Sequence, residues 1–225
     1  MALNEPLVRV LYGSHARGAA DERSDLDVLL IADDSSVEQQ LKEDSEQAIS
    51  RYRWPEFLAM HKYGSLFLQH LRLEGRVIDG NDTGILRYRH LLASIPPYTK
   101  ASENIRSFRL ALDDIASALR YRDSSSAFEA SALASLLRHS AILGCYSIGE
   151  MNFGRYSAVS HFCSRRALPA EIAQEYPLLY DYRLAMAGLC PLPSVQNYDF
   201  VQLWHRRAEI LVEETARVSA RSMYR

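Results

Sequence analysis

The sequence predicts an α+β protein: a small mixed β-sheet domain over residues 1–90, then an all-α helical bundle over residues 95–225. Three observations carry this reading. The first part alternates short apolar runs with polar helical stretches. Asp79-Gly80-Asn81-Asp82 is turn chemistry, and Ile95-Pro96-Pro97 interrupts any helix shortly after it. Beyond that junction the apolar residues step by three and four, as they do on helices that bury one stripe.

The elements follow in chain order. Residues 7–12 (LVRVLY) read as a strand ending at Gly13, and 26–32 (LDVLLIA) are almost wholly apolar, as a central strand covered on both faces requires. Ser35 and Glu38 make a capping box for a helix running to about residue 49. Residues 54–61 (WPEFLAMH) are expected as a third strand, with Pro55 confined to its start or to an edge. Gly64-Ser65 opens a helix to Leu73, closed by Gly75 in the C-terminal position that glycine favours, and 76–79 form a last short strand. In the second part Ile105, Phe108, Leu112, Ile115 and Leu119 make one apolar stripe. Ser126 with Glu129 caps an apolar helix to residue 146, and Phe200, Trp204, Ala208, Leu211 and Val218 share a face of the final one.

Composition narrows the function classes. A formal net charge of -2 excludes a protein whose main task is coating nucleic acid, which needs a clear basic surplus. Cys145, Cys163 and Cys190 lack zinc-ligand spacing and read as buried thiols of a reducing compartment. The residues after Met1 lack the basic and apolar regions of a signal peptide, and no apolar run reaches membrane-spanning length. The expectation is a soluble, cytoplasmic protein with no membrane partner.

The chemistry concentrates in Gly13-Ser14-His15-Ala16-Arg17-Gly18 and Ser24-Asp25-Leu26-Asp27-Val28. Gly13 follows a strand and tolerates a turn or a close approach that a Cβ would block. Ser14 stands where a helix or turn begins, so its hydroxyl and nearby amides can face an anion. Arg17 offers a planar fork suited to phosphate oxygens. Asp25 and Asp27 sit two apart on a predicted strand, which aims both carboxylates at one face. Such a pair is costly unless a cation compensates it, and Mg²⁺ takes one or two carboxylates together with substrate phosphates. Phosphate-cradling backbone beside a metal-binding pair is the equipment of phosphoryl or nucleotidyl transfer.

The pattern resembles the DNA polymerase β-type nucleotidyltransferase superfamily, whose signature is a Gly-Ser turn followed by an Asp-x-Asp strand. Gly13, Ser14, Arg17, Gly18, Ser24, Asp25 and Asp27 match it in order. Glu74-Gly75-Arg76-Val77-Ile78 is similar to the helix-to-strand ending of small bacterial members, so the resemblance covers residues 7–79. It implies a nucleoside triphosphate bound through Gly13, Ser14, Arg17, Gly18 and Ser24, with two Mg²⁺ ions on Asp25 and Asp27. It also implies ATP as donor and transfer of the monophosphate to a small-molecule, protein or RNA acceptor. A third carboxylate, on a strand after the intervening helix, belongs to the family's catalytic set; Glu56 is the candidate, with His61 as an alternative base. Members commonly carry a helix before the first strand. This chain reaches its strand within a few residues, leaving the sheet to be covered by the C-terminal helices or by a second subunit in a homodimer. The helical half is similar in general character to bundles fused to minimal nucleotidyltransferases and antibiotic adenylyltransferases, and is expected to bind acceptor or to oligomerise. Two rival readings stand beside this one: a catalytically silent nucleotide- or partner-binding module, and a ribonuclease resembling the HEPN type through Arg155 and His161.

Overall fold

Val8 and Val10 project from the same side of strand β1 (Val8–Leu11) and both are fully buried, the period-two signature of a strand with one face in a core. The computed structural model describes residues 6–22, 24–32, 49–121, 126–194 and 198–222. The chain divides into two units, Met1–Thr99 and Lys100–Arg225.

In the first unit β1 is followed by a short helix α1 (Gly13–Arg17), β2 (Val28–Ile31) and β3 (Ile49–Tyr52). Helices α2 (Trp54–Lys62) and α3 (Leu66–Glu74), strand β4 (Arg76–Gly80) and helix α4 (Asp82–Ala93) follow among the described residues. The four-stranded sheet has the order β3-β2-β1-β4. β1 runs antiparallel to both β2 and β4, whereas β2 and β3 are parallel. β2 is therefore interior, and all of its residues are buried, as its apolar run predicts. Val8 pairs with Ile31 and Val10 with Leu29, so these four side chains share the face that packs on Trp54, Phe57, Leu68 and Leu71.

Residues 54–61 are not a strand. The strand at this point is Ile49–Tyr52, where the helix from Ser35 was expected to end; the rest of that expected helix lies outside the described residues. Pro55 sits in the first turn of α2, where its missing N–H costs nothing. Glu56 at the third helical position accepts a hydrogen bond from the Arg53 backbone N–H at 2.8 Å. Trp54 and Phe57 are turned into the core, and the Trp54 indole donates to the Pro6 carbonyl at 2.6 Å. Proline and glutamate that read poorly as strand residues are thus helix-opening residues.

Ser65 caps α3 as expected, accepting from the Phe67 N–H at 3.2 Å. Gly75 closes it differently from expectation, with φ -68° and ψ 130° rather than a left-handed turn. What demands glycine there is space: a Cβ would lie 2.5 Å from the Leu71 carbonyl and 2.9 Å from the Tyr88 hydroxyl.

Among the described residues the regular elements of the second unit are all helices: α5 (Ala101–Tyr121), α6 (Ser126–Ser147), α7 (Ser157–Arg166), α8 (Ala170–Met186) and α9 (Tyr198–Ser222). The capping residue before Ser126 lies outside the described residues. α6 is buried around most of its circumference and packs against α7, α8 and α9. Its seam with α9 includes two hydroxyl pairs, Ser140 with Thr215 at 3.1 Å and Ser147 with Ser219 at 2.8 Å. His205 is buried on α9 and bonds the Leu112 carbonyl at 2.9 Å. No helix among the described residues is long and apolar enough to cross a membrane.

Gly144 lets α6 approach α7, because a Cβ there would collide with the fully buried Phe162 ring. Ala raises helix propensity by about 1 kcal/mol, but overpacking a rigid core typically costs about 1–3 kcal/mol. Gly144→Ala is therefore expected to lower the thermal unfolding midpoint. A midpoint equal to or above the parent's would show that the ring has room to move.

Candidate active site

The antiparallel β1–β2 ladder continues one residue beyond the strands, with the Tyr12 N–H donating to the Asp27 carbonyl at 3.0 Å. This places Tyr12 opposite Asp27 and starts the turn of α1 directly beside the entry of β2. Gly13 has φ 72°, a conformation side-chain-bearing residues rarely adopt, and a Cβ would collide with Asp27 Oδ2. The carboxylate therefore lies against the backbone of the Gly-Ser turn. Asp25, two residues earlier and exposed, precedes the strand rather than belonging to it.

α1 ends at Gly18 with φ 69°, its N–H returning to His15 O at 3.2 Å. Ser14 is half-buried within the turn. Arg17 ion-pairs with Glu74 on α3, and the same Glu74 oxygen bonds His70 Nε2 at 2.7 Å. Burial opposes ionisation of Glu74, yet His70 and Arg17 together outweigh it and hold the carboxyl below its ordinary range. Ser24 turns away from this constellation: its hydroxyl donates to Asp21 Oδ1 at 2.7 Å and accepts from the Asp21 N–H at 2.9 Å, fixing the turn before Asp25.

Glu56 is not brought to this place. β2 and β3 are parallel, with Val28 beside Ile49 and Ile31 beside Tyr52, and Glu56 follows the far end of β3. At about 3.3 Å per residue the length of β2, roughly 13 Å, separates that end from Asp27. There Glu56 lines a small cavity with Leu30, Ala32, Arg51, Tyr52 and Arg53. The Arg53 N–H also holds its carboxyl below the usual range, the reverse of what a proton acceptor needs. His61 bonds the Ser94 hydroxyl at 3.3 Å on the helical side of the unit.

Residues the sequence reading passed over complete the site. Tyr12 packs edge-on against Phe67 and His70, with ring centroids 5.6 and 5.8 Å away, and its hydroxyl meets Ser50 Oγ at 3.3 Å. The His70–Glu74 spacing of four was visible as a helix-face pair. Its engagement of Arg17 was not, because that contact spans 57 residues of chain.

Residues 6–58 match the family model of the nucleotidyltransferase domain. The matched stretch contains the Gly-Ser turn, both aspartates and β3. It is consistent with a polymerase β-type member, followed here by the helices of the second unit. No curated protein and no solved structure matches the chain.

The Glu74 cluster generates a prediction. A carboxylate with a depressed folded pKa stabilises the fold above its unfolded value, about 4.3, and that contribution disappears as pH falls through the lower folded value. Glu74→Gln should cost about 1.5–3 kcal/mol at neutral pH, the range of hydrogen bonds to charged groups. It should cost progressively less below about pH 4.3. Thermal unfolding of both proteins from pH 7 to pH 3 reads this directly; parallel curves would remove the cluster from the stability account.

Proposed function

We propose that the chain is a Mg²⁺-dependent nucleotidyltransferase, taking a nucleoside monophosphate from a nucleoside triphosphate, ATP first among them, and passing it to an acceptor hydroxyl. The observation that carries the reading is the seat of the Asp27 carboxylate against the Gly13 backbone, within the stretch that matches the nucleotidyltransferase domain. That arrangement puts phosphate-binding turn and cation-binding carboxylate side by side.

The donor set fits a hard divalent cation. Asp25 and Asp27 offer carboxylate oxygens, and Mg²⁺ characteristically completes its shell with substrate phosphates and water. When bound, the cation offsets the charge that develops on the phosphates and helps orient them. The protein's own groups supply the remainder. Gly13, Ser14 and Gly18 shape the backbone turn for the distal phosphates, and Arg17 presents its guanidinium from the end of that turn, steadied by Glu74. An acceptor hydroxyl oxygen would then bond to the α-phosphorus as the bond to the bridging oxygen breaks, pyrophosphate leaving and the hydroxyl proton passing to water. Small molecule, protein and RNA all remain acceptors for the experiment to sort, with the helical unit as the natural carrier of that choice.

A second reading, a nucleotide-binding module without transfer, draws on the placement of Glu56. Among the described residues no group of three metal-binding side chains is gathered. The ribonuclease reading gains no support: Arg155 lies over the Tyr180 ring on α8, while His161 bonds Glu150 at 2.8 Å.

Incubation of the protein with α-³²P-labelled ATP, GTP, CTP or UTP, Mg²⁺ and a cell extract separates the readings. Label should appear in one acceptor class and fall at least about 100-fold in Asp25→Asn and Asp27→Asn, the scale of removing a principal electrostatic contact. Nucleotide binding without any labelled product would favour the silent module.

A further inference from the structure

The hydroxyl pairs of the α6–α9 seam, Ser140 with Thr215 and Ser147 with Ser219, rise together in number. The two helices therefore run parallel and end at the same place. A cavity of about 550 Å³ opens there, inside the range of roughly 300–1,000 Å³ that small-molecule sites occupy. Tyr146 and Ile148 line it from the end of α6, Met151 from the loop beyond, and Val218 from α9. Two guanidinium groups share the lining, Arg166 from the last turn of α7 and Arg221 from the last turn of α9.

Among the described residues, guanidinium charge outnumbers carboxylate charge around this cavity. Glu214 is buried and accepts from Arg166 Nε at 2.6 Å, but it also accepts from Arg217 Nε at 2.7 Å. One carboxylate thus serves two guanidiniums. Glu214 itself lines a different hollow, beside Arg217 and Ile210, so Arg166 reaches from that carboxylate into the cavity. Glu150, next to Met151, is shared in the same way, accepting from Arg165 and bonding His161 Nε2 at 2.8 Å. Arg221 adds a further full charge, and the residues that follow α9, Met223-Tyr224-Arg225, bring no acidic side chain.

The helix ends pull the other way. The carbonyl ends of α6 and α9 each amount to about half a negative charge, which favours cations. At α6 that end is closed by its own chain, the Cys145 and Tyr146 carbonyls accepting from the Glu150 and Gly149 N–H groups at 2.9 and 3.0 Å. Full guanidinium charges outweigh partial charges already engaged in this way, and their planar forks match carboxylate and phosphate oxygens.

We propose that this cavity binds a small organic anion, its apolar body against Tyr146, Ile148, Met151 and Val218 and its acidic group at Arg166 and Arg221. The site stands apart from the nucleotidyltransferase reading, whose Gly-Ser turn and aspartates belong to the other unit.

Two fluorescent probes with one ring system test this: 8-anilinonaphthalene-1-sulfonate, and N-phenyl-1-naphthylamine, which lacks the sulfonate. Each is titrated into full-length protein carrying ¹³C-methyl methionine, with the Met151 resonance assigned through Met151→Leu. The sulfonate should saturate at one per chain, shift the Met151 methyl, and bind about 10-fold or more tightly than the neutral probe. Arg221→Glu should weaken the sulfonate about 10-fold or more and leave the neutral probe unchanged. Met151→Trp, which fills the cavity, should weaken both. Thermal unfolding verifies each variant. Equal affinity for the two probes, sulfonate binding untouched by Arg221→Glu, saturation without a Met151 shift, or no binding at all would each overturn the inference. Should a variant fail to fold, the parent's preference for the sulfonate and its Met151 shift decide.

Discussion

The contact of one backbone with one carboxylate organises the N-terminal unit. Gly13 can take its positive φ and admit the Asp27 side chain only because it has no Cβ. The strand hydrogen bond from Tyr12 to Asp27 then locks the turn and the carboxylate into register. The rest of the unit is arranged around that junction. β2, interior to the sheet, begins directly after Asp27, and α3 supplies both the rings that back Tyr12 and the acid that steadies Arg17. Preorganisation of this kind is what electrostatic catalysis requires, since groups that need not move at the moment of reaction cost nothing to reorient.

The helical unit is built on a different principle. Its central helix, α6, is apolar nearly all round, and small residues let its neighbours come close. Several polar groups buried along it are satisfied in pairs or by carbonyls, as with Ser140 and Thr215 and with the Tyr176 hydroxyl on the Ala134 carbonyl at 2.8 Å, whereas Glu129 Oε2 is buried without a hydrogen-bond partner among the described residues. Arg166 and Arg217 converge on the buried Glu214, and further out Arg109 pairs with Glu213 and Arg207 with Glu175. Such pairs on exposed surfaces contribute little individually to stability.

Local chemistry was legible in the sequence wherever it depended on neighbours in the chain. The Gly-Ser turn, the apolar run of β2, the Ser65 cap and the stripe of α5 each announce themselves within a few residues. Reading failed where tertiary context decides. Residues 54–61 contain enough apolar and aromatic positions to pass for a strand, and only the Pro55–Glu56 pair in the first turn tips them to a helix. That error carried Glu56 into the candidate catalytic set. Gly75 showed the converse: its presence was read correctly and its reason was not, because the demand comes from Leu71 and Tyr88 rather than from a left-handed backbone. Ser50 and Tyr12 gave no signal at all, since a serine and a tyrosine 38 residues apart acquire meaning only through strand order.

The pairing of β1 with β4 joins residues 8–11 to residues 76–80. During synthesis the first strand emerges early but cannot gain its outer partner until the chain beyond Gly80 has appeared. Closing so long a loop places this unit among slowly nucleating topologies. The stretch that matches the nucleotidyltransferase domain, residues 6–58, stops before α3 and β4. Expressed alone it would leave one side of β1 as an unpaired edge and lose Leu68 and Leu71 from its core. The segment by which the protein is recognised is therefore shorter than the segment that must fold for its site to exist.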